Sequence, residues 1–139
     1  MNRKYTIDDC KIVDLETKHN ELGNITIVKN NLTIPFAVKR IYYLYDIPMG
    51  TERGGHAHLN LEQYVIAGSG SFTFIVDDGK NRKEFFLNRP NLALHILPGI
   101  WRDMRDFSSG SVCLVLASMA FQEEDYVRDF NNFLKYRNE

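Results

Sequence analysis

Short apolar runs recur at fairly even spacing along this chain, separated by glycine, proline, asparagine and aspartate. They fall at 25–28, 35–44, 63–67, 71–76, 83–87, 92–97 and 111–117, several of them alternating apolar with polar positions. Alternation with a period of two is the mark of a half-buried strand. Asp77-Asp78-Gly79 sits between two such runs and predicts a hairpin turn. Many short strands have to hide their edges, so the pattern predicts an all-β protein whose antiparallel strands close into a sandwich or barrel. Only the C-terminal stretch shows helical spacing, with Tyr126, Val127, Phe130, Phe133 and Leu134 on one face. Glu123, Glu124 and Asp125 at its start and Lys135 and Arg137 at its end complement a helix dipole. This predicts one structural helix packed on the barrel. No repeat, low-complexity tract or linker interrupts the chain, which reads as a single domain over 1–139.

Composition narrows the function classes. Of 139 residues 44% are hydrophobic and 25% charged, as expected of a soluble domain with an ample core. The formal net charge of −1 and the lack of a basic block argue against nucleic-acid binding. No apolar stretch reaches the roughly 20 residues that span a bilayer. Asp8 and Asp9 follow the N-terminus where a secretory signal would have its apolar run. Cys10 and Cys113 lie far apart and Cys113 sits in an apolar run, so both read as buried free thiols of a cytoplasmic protein.

The candidate chemistry lies in Arg53-Gly54-Gly55-His56-Ala57-His58, followed by Glu62. On an extended backbone His56 and His58 share a face. Two imidazoles so placed can ligate a metal or pass protons to and from a small molecule. A metal site of this type needs three or four ligands converging from different strands, and His56, His58 and Glu62 would supply three. The glycine-flanked His-x-His with a later Glu resembles the first motif of cupin (jelly-roll) barrels, and Pro98-Gly99 resembles the opening of their second. Where the second cupin motif carries its third histidine, this chain has Arg102. A guanidinium has no lone pair to donate and opposes a divalent cation, so the expectation is a metal-free pocket for an anionic or electron-rich molecule. Proton abstraction beside a carbonyl fits two histidines, provided a donor or positive charge meets the developing enolate.

Taken together the segments resemble the dTDP-4-oxo-6-deoxyglucose 3,4-ketoisomerases, small cupin enzymes of unusual-sugar biosynthesis for glycans and lipopolysaccharide. The matching stretches are 34–43, 53–58, Leu61-Glu62-Gln63, Gly99-Ile100-Trp101-Arg102-Asp103-Met104, Asp106-Phe107-Ser108, 115–118 and 124–128. The resemblance implies a homodimer of cupin barrels that exchange N-terminal strands and use no metal or organic cofactor. It implies transfer of a carbonyl from C4 to C3 of a dTDP-linked 6-deoxy sugar through an enediol-type intermediate. On that analogy His58 is the principal base at C3 and His56 assists at C4. The position of Arg102 varies between histidine and arginine in the family, with the C4 configuration of the product. Arginine leans towards gluco, while Glu21-Leu22-Gly23-Asn24 departs from the family pattern and leaves the configuration open.

Further candidates follow from the resemblance. Arg53 is a diphosphate or sugar contact, since a guanidinium can grip phosphate oxygens in pairs. Tyr43 and Trp101 are candidates to stack on thymine or the sugar. Gln63 and His95 are candidate substrate contacts, and Arg40 and Arg105 candidate attractors of the diphosphate. His19 reads as solvated. The alternatives to the isomerase are a deoxysugar epimerase and a non-catalytic metabolite-binding cupin.

Overall fold

The computed structural model describes residues 4–139. The expectation about the N-terminus rests partly on Met1, Asn2 and Arg3, which lie outside the described residues. A single 3-10 turn, Ile7–Asp9, precedes the strands β1 (Ile12–Asp14), β2 (Glu16–Asn20), β3 (Gly23–Ile27), β4 (Arg40–Leu44), β5 (Arg53–His58) and β6 (Gln63–Ser69). There follow β7 (Phe72–Asp77), β8 (Arg82–Leu87), β9 (Leu92–Ile96), β10 (Trp101–Arg105), β11 (Val112–Ala117) and β12 (Tyr126–Val127). The chain then forms a helix, α1 (Phe130–Arg137).

Two five-stranded sheets face each other, in the orders β1-β9-β6-β11-β4 and β12-β5-β10-β7-β8, and β2 with β3 makes a separate hairpin. Every pairing between named strands is antiparallel, as the spacing of the runs predicts. The core between the sheets takes alternate residues: Val65 and Ala67 of β6, Phe72, Phe74 and Val76 of β7, Leu94 and Ile96 of β9, Cys113 and Val115 of β11. The intervening Tyr64, Ile66, Ala93 and Leu116 are buried too, because residues around Val28, Ile34, Phe36 and Val38 cover the outer face of the first sheet. This double burial makes the central runs look continuously apolar in sequence. Both cysteines are free and buried.

The C-terminal helix is shorter than its spacing predicts. Glu123–Asp125 form a 3-10 turn and Tyr126 and Val127 pair with His58 and Ala57 as an edge strand. The helix begins only after Asp129, whose carboxylate caps Asn132 N–H. Strand pairing and the capture of Asp125 by the chain after β5 outweigh a weak local helical preference. Phe133 of α1 packs on Ala57 and Trp101, closing the outer face of the second sheet. The run at 35–44 is extended as a strand only from Arg40, since residues before it cross the outer face and bury Phe36. Five strands, β1, β2, β5, β10 and β12, have no counterpart among the apolar runs.

Candidate active site

The site is built on the last residues of β5. Gly54 has φ +95, and a Cβ there would lie 2.9 Å from the Arg102 carbonyl oxygen and 3.0 Å from Asp103 Cα. Glycine therefore lets β5 press against β10 at the bulge where the register shifts between Arg102 and Asp103. Directly beyond it Arg102 is the cross-strand partner of His56, and on the other side Tyr126 is the partner of His58. Cross-strand partners present their side chains to the same face, so the two imidazoles, the guanidinium and the phenol form one inward-facing patch. The intervening Ala57 and Trp101 point the other way, towards Phe133. The Gly99 N–H donates to the His58 carbonyl at 2.6 Å, which ties the Pro98-Gly99 turn to the same strand.

A cavity of about 560 Å³ opens over this patch, between β4 of one sheet and β5 and β12 of the other. Tyr42 and Leu44 form one wall, His56 and Tyr126 the opposite one, and Arg40, Arg53 and Arg128 stand around it with Glu52. Two buried nitrogens of Arg40, Nε and Nη2, have no hydrogen-bond partner. The Arg128 guanidinium lies 4.1 Å from the Tyr126 ring centroid. Such a ring of cations over a polar floor suits an anionic ligand.

His56 and His58 pack edge to face at 4.9 Å between ring centroids, and Tyr126 lies against both. His56 lines the cavity, whereas His58 is 1% exposed and does not. His58 Nδ1 lies 3.1 Å from Asp125 Oδ2, in reach to donate its proton there. Asp125 also accepts from the Asn60 and Leu61 backbone N–H groups. With Nδ1 protonated, His58 Nε2 keeps its lone pair, and it is buried without a partner. Burial, and then the Arg102 charge, hold both rings neutral: His56 is pushed down to about 4 and His58 to about 2. The sequence expectation made His58 the principal base. Its enclosure behind Tyr126 leaves His56 as the imidazole that a ligand in the cavity can touch.

Arg102 is 2% exposed, and its guanidinium donates to Gln63 Oε1 and to the Ile100 carbonyl. Both partners are neutral, so the charge beneath the cavity keeps much of its field. Gln63 belongs to the floor, where it donates to the Tyr42 hydroxyl at 2.9 Å. Arg53 lines the cavity as expected.

Three expected contacts fall elsewhere. Tyr43 is 57% exposed and alternates outward while its neighbour Tyr42 faces the cavity. Trp101 packs against Phe130 and Phe133 and donates to Asp103 Oδ2 at 3.1 Å, on the far side of β10 from Arg102. His95 lies on the outer face of the first sheet, beside Tyr64, with Nε2 2.5 Å from Glu62 Oε2. Glu62, counted as a third metal ligand in the sequence motif, is thereby turned away from His56 and His58. Among the described residues no group of three or more His, Cys, Asp and Glu is placed to hold a metal ion. Arg105 pairs with Glu84 and Asp106. His19 lies in the exposed hairpin beside Asn24. Tyr42, Asp125, Tyr126 and Arg128 were missed as individual site residues, although they lie within the stretches that carry the family resemblance.

Fold and site together define a small cupin barrel with imidazole and guanidinium groups gathered at one cavity. The family model described as "FdtA: WxcM-like, C-terminal" matches residues 8–138, and the chain belongs to that family. It is 39% identical over 126 residues to the TDP-4-oxo-6-deoxy-alpha-D-glucose-3,4-oxoisomerase of Aneurinibacillus thermoaerophilus, covering 91% of each chain. A 3,4-ketoisomerase from Helicobacter canadensis superposes with TM-score 0.91 at 44% identity, over 94% of this chain and 98% of that one. The TDP-quinovose 3,4-ketoisomerase of Campylobacter jejuni superposes with TM-score 0.87 at 42% identity, over 91% and 98%.

Proposed function

We propose that this protein is a sugar 3,4-ketoisomerase that converts dTDP-4-oxo-6-deoxy-D-glucose to the 3-oxo sugar, with His56 as the group that moves the proton. The observation that carries the reading is the cross-strand pair of His56 and Arg102 beneath a cavity ringed by guanidinium groups. Arg40, Arg53 and Arg128 hold the diphosphate, and the sugar lies over His56. A neutral His56 takes the C3 proton. The electron pair left behind forms the C3–C4 double bond, and the C4 carbonyl becomes an enolate under the field of Arg102. With O4 protonated the enediol is complete. C4 then takes a solvent-exchangeable proton on the face opposite His56, as the gluco configuration requires, while the O3 hydroxyl and the imidazolium each give up a proton, which leaves the ketone at C3 and His56 neutral again. His58, oriented by Asp125, supports His56 from behind and relays its proton.

The reaction uses imidazole alone, without metal or organic cofactor. Arg102 at the third-ligand position and the turning of Glu62 towards His95 support this. Elemental analysis tests it: stoichiometric metal whose removal abolishes turnover would overturn it. The protein acts as one cupin domain over 1–139 and as a homodimer exchanging N-terminal strands. In support, Leu22 is 97% exposed on the β2–β3 hairpin, and Ile41 and Tyr43 are exposed on β4, an edge of its sheet. Light scattering after gel filtration reads the assembly, and a monomer at micromolar concentration would refute it. The two free thiols support a reducing, cytoplasmic setting. Among the described residues no helix is long and apolar enough to cross a membrane.

Incubation with dTDP-4-oxo-6-deoxyglucose in deuterated water tests the activity. The expected product has its ketone at C3 and deuterium at C4. Label at C3 or C5 with the ketone still at C4 would indicate an epimerase, and no labelling a binding protein. NMR of the product also gives the C4 configuration. Arg102 and the likeness to the TDP-quinovose enzyme support gluco.

A further inference from the structure

The cavity changes character along its length. On β4 the residues Arg40, Tyr42 and Leu44 line it in that order, while Ile41 and Tyr43 between them face solvent. On β10 Arg102 and Met104 both face inward, opposite Val76 and Phe74 of the core. Among the described residues Leu44 and Met104 are the only lining side chains without nitrogen or oxygen. They come from different sheets and converge on Cys113: Leu44 is its cross-strand partner, and Met104 Sδ lies 4.0 Å from its thiol. Cys113 is fully buried and burial pushes its pKa up to about 12, so the thiol stays neutral and packs as a small apolar group. This apolar end lies two residues along each strand, about 7 Å, from Tyr42 and Arg102.

We propose that Leu44 and Met104 seat the C6 methyl of the sugar and so select 6-deoxy substrates. The inference rests on the ketoisomerase reading above. Arg40 and Arg128, at the other end of the cavity, draw the diphosphate on C1 away from Leu44. C4 lies across the ring from C1 and therefore turns towards the apolar end. With C3 over His56, the methyl on C5 stands two bonds beyond C4 and reaches Leu44 and Met104. There it displaces water from apolar surface. A hydroxyl on C6 would give up its water and find no strong partner in Leu44, Met104 or the Cys113 thiol. A hydrogen in place of the methyl would leave the seat unfilled and the far edge of the ring unfixed. The contact that chooses the substrate thus also holds C3 against His56.

The test compares two substrates, dTDP-4-oxo-6-deoxyglucose and the pentose analogue dTDP-4-oxo-xylose, which has hydrogen in place of the C6 methyl. Wild-type kcat/KM is expected to be about tenfold or more higher on the 6-deoxy sugar, the usual worth of one methyl group in an apolar pocket. A ratio below about threefold overturns the proposal. In Leu44→Ala the ratio should fall to about threefold or less, because the methyl has lost its seat. Damage to the fold would lower both rates alike and leave the ratio where it was, so an unchanged ratio also overturns the proposal. If Leu44→Ala fails to bind TDP by calorimetry, Leu44→Val replaces it. The ratio should then fall at least about twofold, and an unchanged ratio again refutes the seat. If the wild-type protein moves no carbonyl in either sugar, the ketoisomerase reading fails; if it turns over both sugars equally well, only the methyl seat fails.

Discussion

Asp125→Asn is the most searching perturbation of the site. The carboxylate is buried, with Oδ2 facing His58 Nδ1 and Leu61 N–H and Oδ1 facing the Asn60 backbone and side chain. All four groups can donate, which only a carboxylate can answer. An asparagine keeps one oxygen. If it stays with Asn60, the new NH2 confronts the Leu61 N–H and forces His58 to accept at Nδ1, moving the ring proton to Nε2. If it turns to His58, the Asn60 donors are stranded instead. Either way a buried donor is left unsatisfied and a charge-assisted bond is lost, a stability cost of about 3–5 kcal/mol. In the first orientation His58 loses the lone pair behind His56, and kcat should fall by about 10²–10⁴. Urea unfolding measures the first effect and steady-state kinetics the second, while 15N NMR of the imidazoles reads the tautomer. A kcat within threefold of wild type, with His58 still protonated at Nδ1, would refute the relay.

Three more outcomes follow from the geometry. Gly54→Ala places a methyl against the Arg102 carbonyl at a positive φ, so a loss of about 2–4 kcal/mol on urea unfolding is expected, with lower turnover; wild-type stability would show that β5 and β10 are not so tightly opposed. His56 is lowered from 6.5 to about 4, so its neutral form survives acidification and the acid limb of kcat/KM should lie well below pH 6.5. An unfolded chain binds more protons between those values, so stability should be full above pH 6.5 and fall, by about 3 kcal/mol at most for this group, as pH drops towards 4; a flat profile over that window would contradict the burial of the ring. His95→Ala should retain kcat within about threefold and lose about 1 kcal/mol, because its pairing with Glu62 is partly exposed and outside the cavity; a tenfold loss of kcat would return His95 to the site.

The strand pattern was readable wherever one residue in two is polar or the run is short, as in β7, β8, β9 and β11. It was unreadable in β10, whose sequence Trp-Arg-Asp-Met-Arg buries its polar Arg102 inward. The His-x-His parity was readable for the same reason as the strands, since residues 56 and 58 must share a face once β5 is extended. Asp125 was not, because its contact with His58 spans 67 positions and the residues after it mimic a helix face.

The misplaced ligand contacts share one physical cause that the sequence already contained. Tyr43 follows Tyr42, Trp101 precedes Arg102, and Glu62 precedes Gln63. On an extended strand the members of such a pair cannot both reach one cavity. In β10 and β4 the arginine and Tyr42 face inward, so Trp101 and Tyr43 face out. Glu62 departs in the same way at the start of β6, where Gln63 turns inward to Tyr42 and Arg102. His95 obeys the same rule, standing between Leu94 and Ile96, which both belong to the core. Sorting candidates by parity against the His56 face therefore separates Tyr42, Gln63 and Arg102 from Tyr43, Glu62 and Trp101. It also predicts the polar chain from guanidinium to phenol as the part of the barrel interior that chemistry, and not packing, has shaped.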